Sequence, residues 1–142
     1  TPPDGQAELP VTGLGFEAAS RFAAARGCRL PSDAEWELAA RCHGERRTEF
    51  PWGDVFEVGR LAATVARCGA NANDVTTEGI LDLGGNVSEW VSLPDGRPAI
   101  RGASFLYPQR RIARGSHRLS PHSVDYSGPQ VGLRLAKDVA GP

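Results

Sequence analysis

The segment Leu83-Gly84-Gly85-Asn86-Val87-Ser88-Glu89-Trp90 limits the folding choices of this chain more than any other. Two adjacent glycines reach backbone conformations closed to other residues, and an asparagine side chain hydrogen-bonds its own backbone in turns. A tight turn is therefore predicted at Gly84-Gly85-Asn86. Three further segments stand around it in a fixed order. Arg29-Leu30-Pro31-Ser32-Asp33-Ala34-Glu35-Trp36-Glu37 precedes it, Arg101-Gly102-Ala103-Ser104-Phe105 follows, and Val131-Gly132-Leu133-Arg134-Leu135-Ala136 comes near the end.

The first of the three carries a helix start. In Ser32-Asp33-Ala34-Glu35 the serine hydroxyl can accept from the Glu35 backbone N–H while the Glu35 carboxylate reaches back, which is a capping box. Trp36, Ala39 and Ala40 then form a buried stripe, and the helix is expected to run to about Arg41 or Cys42. An earlier helix is expected from Phe16 to Arg26, with Phe16, Ala19 and Ala23 at helical spacing, Gly15 at its N-cap and Gly27 ending it. Phe50-Pro51-Trp52-Gly53-Asp54 reads as a turn anchored by two aromatics. Residues 55–80 read as irregular, 98–106 and 130–137 as strands, and the stretch between those strands as a loop rich in Arg, His and Ser. Trp36, Trp52 and Trp90 read as core and turn anchors. Two helices, short strands and much ordered loop make an α+β domain. Its expected limits are residues 10–138, with residues 1–9 a linker or an extended leading strand and 139–142 a tail.

Composition removes several function classes. A chain of 142 residues is one domain by length, and it can bury a core without staples. A formal net charge of -1 gives no electrostatic case for nucleic acid or an anionic membrane surface. No apolar run approaches spanning length, and Thr1-Pro2-Pro3-Asp4 shows no signal peptide, so a cytoplasmic location is expected. The three cysteines, Cys28, Cys42 and Cys68, cannot all pair within the chain and contain no C-x-x-C spacing; they read as buried or half-buried free thiols in a reducing compartment.

In this order, the four segments resemble the formylglycine-generating enzymes, also called sulfatase-modifying factors, over roughly residues 10 to 138. The resemblance implies a C-type-lectin-like variant of the α+β class, with two helices and short twisted antiparallel strands. It also implies that the family's opening segment is missing ahead of Leu9-Pro10-Val11, so that the domain is expected to be part of a larger polypeptide. In the catalytic members, two cysteines just after a Gly-Gly-Ser-aromatic strand bind copper and activate oxygen; soft thiolates suit Cu(I). Here that strand corresponds to Arg101-Gly102-Ala103-Ser104-Phe105-Leu106. The first thiol position falls at Tyr107, the second near Gln109-Arg110, and no cysteine follows Cys68. No copper is expected. The function expected is a recognition or sensor module binding a protein or a small molecule. The rival reading is an oxidoreductase of the formylglycine-generating or sulfoxide-synthase type that draws ligands from another segment or partner.

The same resemblance implies two further sites. In family members the Asp82–Glu89 turn can hold Ca²⁺. By position, Asp82 and Glu89 would give carboxylate oxygens, and Gly85 and Val87 backbone carbonyls, toward the six to eight oxygens that calcium takes. Asn71, Asn73 and Asp74 stand upstream as a second oxygen set. The alternative is that Asn86 braces the turn and Glu89 pairs with an arginine or with backbone N–H groups. Arg110 to Tyr126 matches the family's variable surface, whose loops line the ligand face. Tyr107, Arg110, Arg111, Arg114, His117, Arg118 and Tyr126 are the candidate contacts, since Arg and aromatic groups are common interface anchors. The alternative there is a solvated face, or pairing with the chain's own 17 acidic residues. Ser116, His117 and Asp125 supply triad-type side chains, but no oxyanion hole or nucleophile elbow accompanies them.

Overall fold

The computed structural model describes residues 7–123 and 125–139. Most of the leading segment expected over residues 1–9, and most of the tail expected over 139–142, lie outside the described residues. Three helices are formed: α1 (Phe16–Ala24), α2 (Asp33–Arg41) and a single turn, α3 (Arg110–Ala113). A small hairpin pairs β1 (Cys42–His43) with β2 (Arg46–Arg47). The main sheet has four strands, β3 (Ser88–Ser92), β4 (Pro98–Arg101), β5 (Arg118–Leu119) and β6 (Val131–Gly132), in the order β5-β4-β3-β6. β3 runs antiparallel to β4 and parallel to β6, and β4 runs antiparallel to β5.

α2 begins as its sequence dictates. Ser32 Oγ accepts from the Glu35 N–H at 3.2 Å, and the Glu35 carboxylate accepts from the Ser32 N–H at 2.8 Å. Arg29 grips the same carboxylate with two nitrogens at 2.7 Å each. Those bonds, with the Ser32 contacts, hold the Glu35 carboxyl down at about 2. α1 starts at Gly15 without a side-chain cap and closes at Ala24, earlier than the expected Arg26. The physical reason is the turn after it: Gly27 takes a φ of 65° and the Cys28 N–H folds back onto the Ala23 carbonyl.

Successive strand residues point to opposite faces, and that period divides the core. Trp90 and Ile100 sit opposite each other across β3 and β4 and pack with Ala19, Ala23 and Leu30, so this face receives α1. Val91 and Ala99, the next pair, pack with Trp36, Ala40 and Leu83, so the other face receives α2. A third cluster of Phe50, Leu61, Ala103, Ile112 and Ala113 lies under the loops. Phe50 and Trp52 stack at 5.4 Å and anchor the expected turn.

The strands are shorter than the sequence suggested. The stretch expected over 98–106 leaves the ladder after Arg101, because Gly102 adopts a φ of 76° and the chain turns back so that Ser104 bridges Tyr107. The stretch expected over 130–137 pairs continuously only at Val131–Gly132, with one later bridge from Ala136 to Arg29. α3 falls where a loop was expected. The class is α+β as expected, and no helix among the described residues is long and apolar enough to cross a membrane.

Candidate functional site

The turn predicted at Gly84-Gly85-Asn86 forms, and its backbone explains the residue choice. Asn86 takes a φ of 65°, a left-handed conformation that asparagine tolerates. Its side chain accepts from the Ala66 N–H at 3.0 Å and donates to the Ala66 carbonyl at 3.1 Å, pinning the irregular 55–80 stretch to the sheet. A Cβ on Gly84 would stand 2.4 Å from a ring carbon of Trp52, so only glycine fits that approach. Asp74, 1% exposed, sits beneath the turn and accepts the Gly84 N–H with both carboxylate oxygens at 3.1 Å. Burial pushes its carboxyl up to about 7 against the pull of those backbone hydrogen bonds.

The four residues named for calcium are placed as follows. Glu89 is buried in β3 and faces α2, where the Trp36 indole N–H donates to it at 2.7 Å. Arg134 clasps the same carboxylate from beyond β6, at 3.1 and 2.9 Å. Asp82 points elsewhere, accepting the Gly69 N–H at 2.6 Å. Gly85 and Val87 are buried in the turn between them. Among the described residues no three His, Cys, Asp or Glu side chains converge to hold a metal ion.

The seven candidate contact residues separate into two groups. Tyr107 and Tyr126 line one cavity of about 220 Å³ on the α1 side of the sheet, together with Ser88, Ile100, Leu119, Ser120, Pro121, His122, Gln130 and Val131. Among the described residues no Asp, Glu, Lys or Arg lines it. His122 stands edge-on to Tyr126 at 6.4 Å, and the Tyr126 hydroxyl is held by Gln130. Tyr107, which lines it, remains 51% exposed, and its chain neighbour Leu106 50%. Ser88, His122 and Gln130 were not singled out as contacts. Ser88 was findable, because it lies two residues before Trp90 and so shares its sheet face once β3 is recognised.

The basic residues lie apart and are largely spoken for. Arg114 and Arg110 pair with Glu49 at 2.8 and 3.4 Å, and Arg118 pairs with Asp33 at 3.0 Å. Arg111 is exposed, with no acidic partner among the described residues. His117 is half-buried, and both partial desolvation and the nearby Arg111, Arg101 and Arg114 push its imidazole pKa down. Arg101, unremarked in the sequence, is the hub of this region. It is 2% exposed, pairs with Asp33 and Glu37 at 2.7 and 3.0 Å, and donates to the Gly115 and His117 carbonyls. Partial burial pushes the Asp33 carboxyl up, but its Arg101 and Arg118 hydrogen bonds outweigh this and hold it below the usual range.

A larger cavity of about 710 Å³ lies between Leu9-Pro10-Val11, Phe22 of α1, Leu81 and Leu133–Leu135. Cys68 is on its wall, and this thiol is exposed, where half-burial or more was expected; Cys28 and Cys42 are half-buried. Cys68 lies within a turn closed by the Ala70 N–H on the Arg67 carbonyl, outside any helix or strand.

Comparison with known proteins places this arrangement. The inactive Cα-formylglycine-generating enzyme 2 of Mus musculus is 30% identical over 158 residues, covering 95% of this chain and 51% of that protein. The serine/threonine-protein kinase Pkn1 of Chlamydia trachomatis serovar L2 is 35% identical over 161 residues, covering 95% of this chain and 25% of the kinase. The chain thus spans about half the length, or less, of these curated relatives. Among solved structures, Treponema denticola variable protein 1 superposes with a TM-score of 0.71 at 16% identity, over 95% of this chain and 74% of that one, which shows the shared fold. The family model described as the sulfatase-modifying factor enzyme 1-like domain matches residues 2–139, and the chain belongs to that family.

Proposed function

We propose that this domain is a non-catalytic recognition module, and that the Tyr107–Tyr126 cavity receives an uncharged ring-sized group from a protein partner. The observation that carries the reading is Tyr107: an aromatic side chain stands where the resemblance puts the first catalytic thiol, and it forms the mouth of a cavity. A cavity of about 220 Å³ is below the range of drug-sized ligand sites, about 300 to 1,000 Å³, and suits a single inserted group. Its walls offer ring faces, hydroxyls and the Gln130 amide, with no Asp, Glu, Lys or Arg among the described residues. The exposed Leu106 and Tyr107 supply apolar and aromatic surface, and aromatic side chains are common anchors of protein interfaces. The mouse relative is named an inactive enzyme, which supports a module without catalysis. The kinase relative supports recognition tethered to an effector in a longer polypeptide.

Two measurements test this. A cysteine-containing sulfatase peptide incubated with the protein, copper and oxygen should remain unmodified by mass spectrometry; conversion to the aldehyde would favour the oxidoreductase reading. NMR titration with two ring probes, indole and a methyl pyranoside, should shift the His122 and Tyr126 side-chain signals with at least one of them. Shifts with neither probe would remove the cavity from the proposal.

A further inference from the structure

A carboxylate as buried as Glu89, 5% exposed, is costly to bury unless charge and hydrogen bonds compensate it. Among the described residues the compensating charge comes from one side chain. Arg134 Nε donates to one Glu89 oxygen and Nη2 to the other, while that Nη2 also donates to the Leu81 carbonyl at 2.8 Å. The guanidinium therefore gathers both carboxylate oxygens and a backbone carbonyl from the two ends of the Leu81–Glu89 turn. That donor set, anionic and neutral hard oxygens on one centre, is the kind a calcium ion selects. The Trp36 N–H donates to Oε2, the Glu89 oxygen that Arg134 Nε also reaches. Asp82, the other carboxylate of the turn, is turned toward Gly69.

The position of Arg134 is fixed by the fold. Gly132 pairs with Glu89 across β6 and β3, so a residue two further along the same edge comes back over the Glu89 face. Gly132 is itself tightly packed, with a Cβ there standing 2.7 Å from the Val11 carbonyl, so β6 has little room to slide.

We propose that Arg134 is the resident cation of this turn: its guanidinium neutralises Glu89, one of the four residues named for calcium, and ties it to the Leu81 carbonyl, so that the turn closes on the segment that follows β6 without metal. The turn is then coupled to the docking of β6 rather than to calcium concentration. This inference is independent of the recognition reading, since Arg134 lines the larger cavity and not the Tyr107–Tyr126 one.

The test uses calcium alone as the probe. Thermal unfolding of the wild-type protein should give the same Tm in millimolar calcium and in chelator, and isothermal titration of wild type with calcium should show no binding heat in that range. Arg134→Gln should lower Tm by on the order of 10 °C, because it strands a buried carboxylate. Adding Glu89→Gln to the same chain should restore part of that loss, since it removes the stranded charge and keeps an acceptor for Trp36. A calcium-dependent rise in wild-type Tm, or calcium binding by titration, overturns the proposal. So does an Arg134→Gln protein as stable as wild type. If Arg134→Gln fails to fold, the wild-type titration still decides.

Discussion

Asp74 is a carboxyl with almost no access to water, and it illustrates what a single side chain can conceal. Its pKa is about 7 in the folded protein, against 3.8 for an ordinary aspartate, and the leading cause is desolvation. The folded state therefore keeps a proton that the unfolded chain has released over that window. Stability from this group is fully present below about 3.8 and is lost as pH rises through about 7. Asp74→Asn removes the titration and keeps an acceptor for the Gly84 N–H. Its stability relative to wild type should climb by about 1.4 kcal/mol per pH unit between about pH 4 and 7 and stay level above. Urea titrations across that range check it, and a difference that does not change with pH would show that Asp74 ionises freely. At this scale the sequence was only partly readable. Pairing with an arginine was one of the roles open to Glu89 in the sequence, beside calcium and backbone N–H groups, but the arginine lies 45 residues along, and only the pairing of β6 with β3 selects it.

Helix α2 shows how elements are joined. Its start was legible because a capping box is local, set by four consecutive residues. Its docking was not, because that depends on Arg101. Asp33 and Glu37, one helical turn apart, both reach the Arg101 guanidinium, which also holds the Gly115 and His117 carbonyls. One buried side chain thus ties α2, β4 and the segment that leads into β5. Arg101→Met, which keeps most of the volume, should cost about 3 kcal/mol, the low end for breaking a buried ion pair, because Asp33 keeps Arg118 and Glu37 keeps Arg41. Replacing both carboxylates as well, by Asp33→Asn and Glu37→Gln, should cost less than the sum of the separate losses. Denaturant midpoints of the single and combined variants measure this. Strict additivity would mean that the three groups do not act as one unit. The same hub explains the misplaced strand ends: the 98–106 stretch has strand-like composition, but Gly102 releases the chain as soon as Arg101 is locked.

At the scale of the whole molecule, the four spaced segments were enough for the fold, because each one marks a junction: the start of α2, the turn into β3, the exit from β4, and β6. The candidate surface was less legible, because one segment of sequence supplies two different places in space. Arg110, Arg114 and Arg118 turn toward Glu49 and Asp33, while Tyr107 and Tyr126 meet across the cavity. A linear reading could not divide them, since their separation depends on α3, a turn of helix inserted where a loop was expected. The division can be measured. Arg110 and Glu49 are partly exposed, and such pairs contribute about 0 to 1 kcal/mol, so Arg110→Ala with Arg111→Ala should barely move Tm. It should also leave the indole and pyranoside shifts unchanged. Tyr107→Ala should preserve the fold, because its ring is half in water, yet abolish those shifts by opening the cavity mouth. Tyr126→Ala should do both kinds of damage, because that ring also packs edge-on against the buried Trp90 at 6.4 Å. If the double arginine variant loses probe binding while Tyr107→Ala keeps it, the recognition surface lies on the basic face, and the tyrosine cavity is packing space.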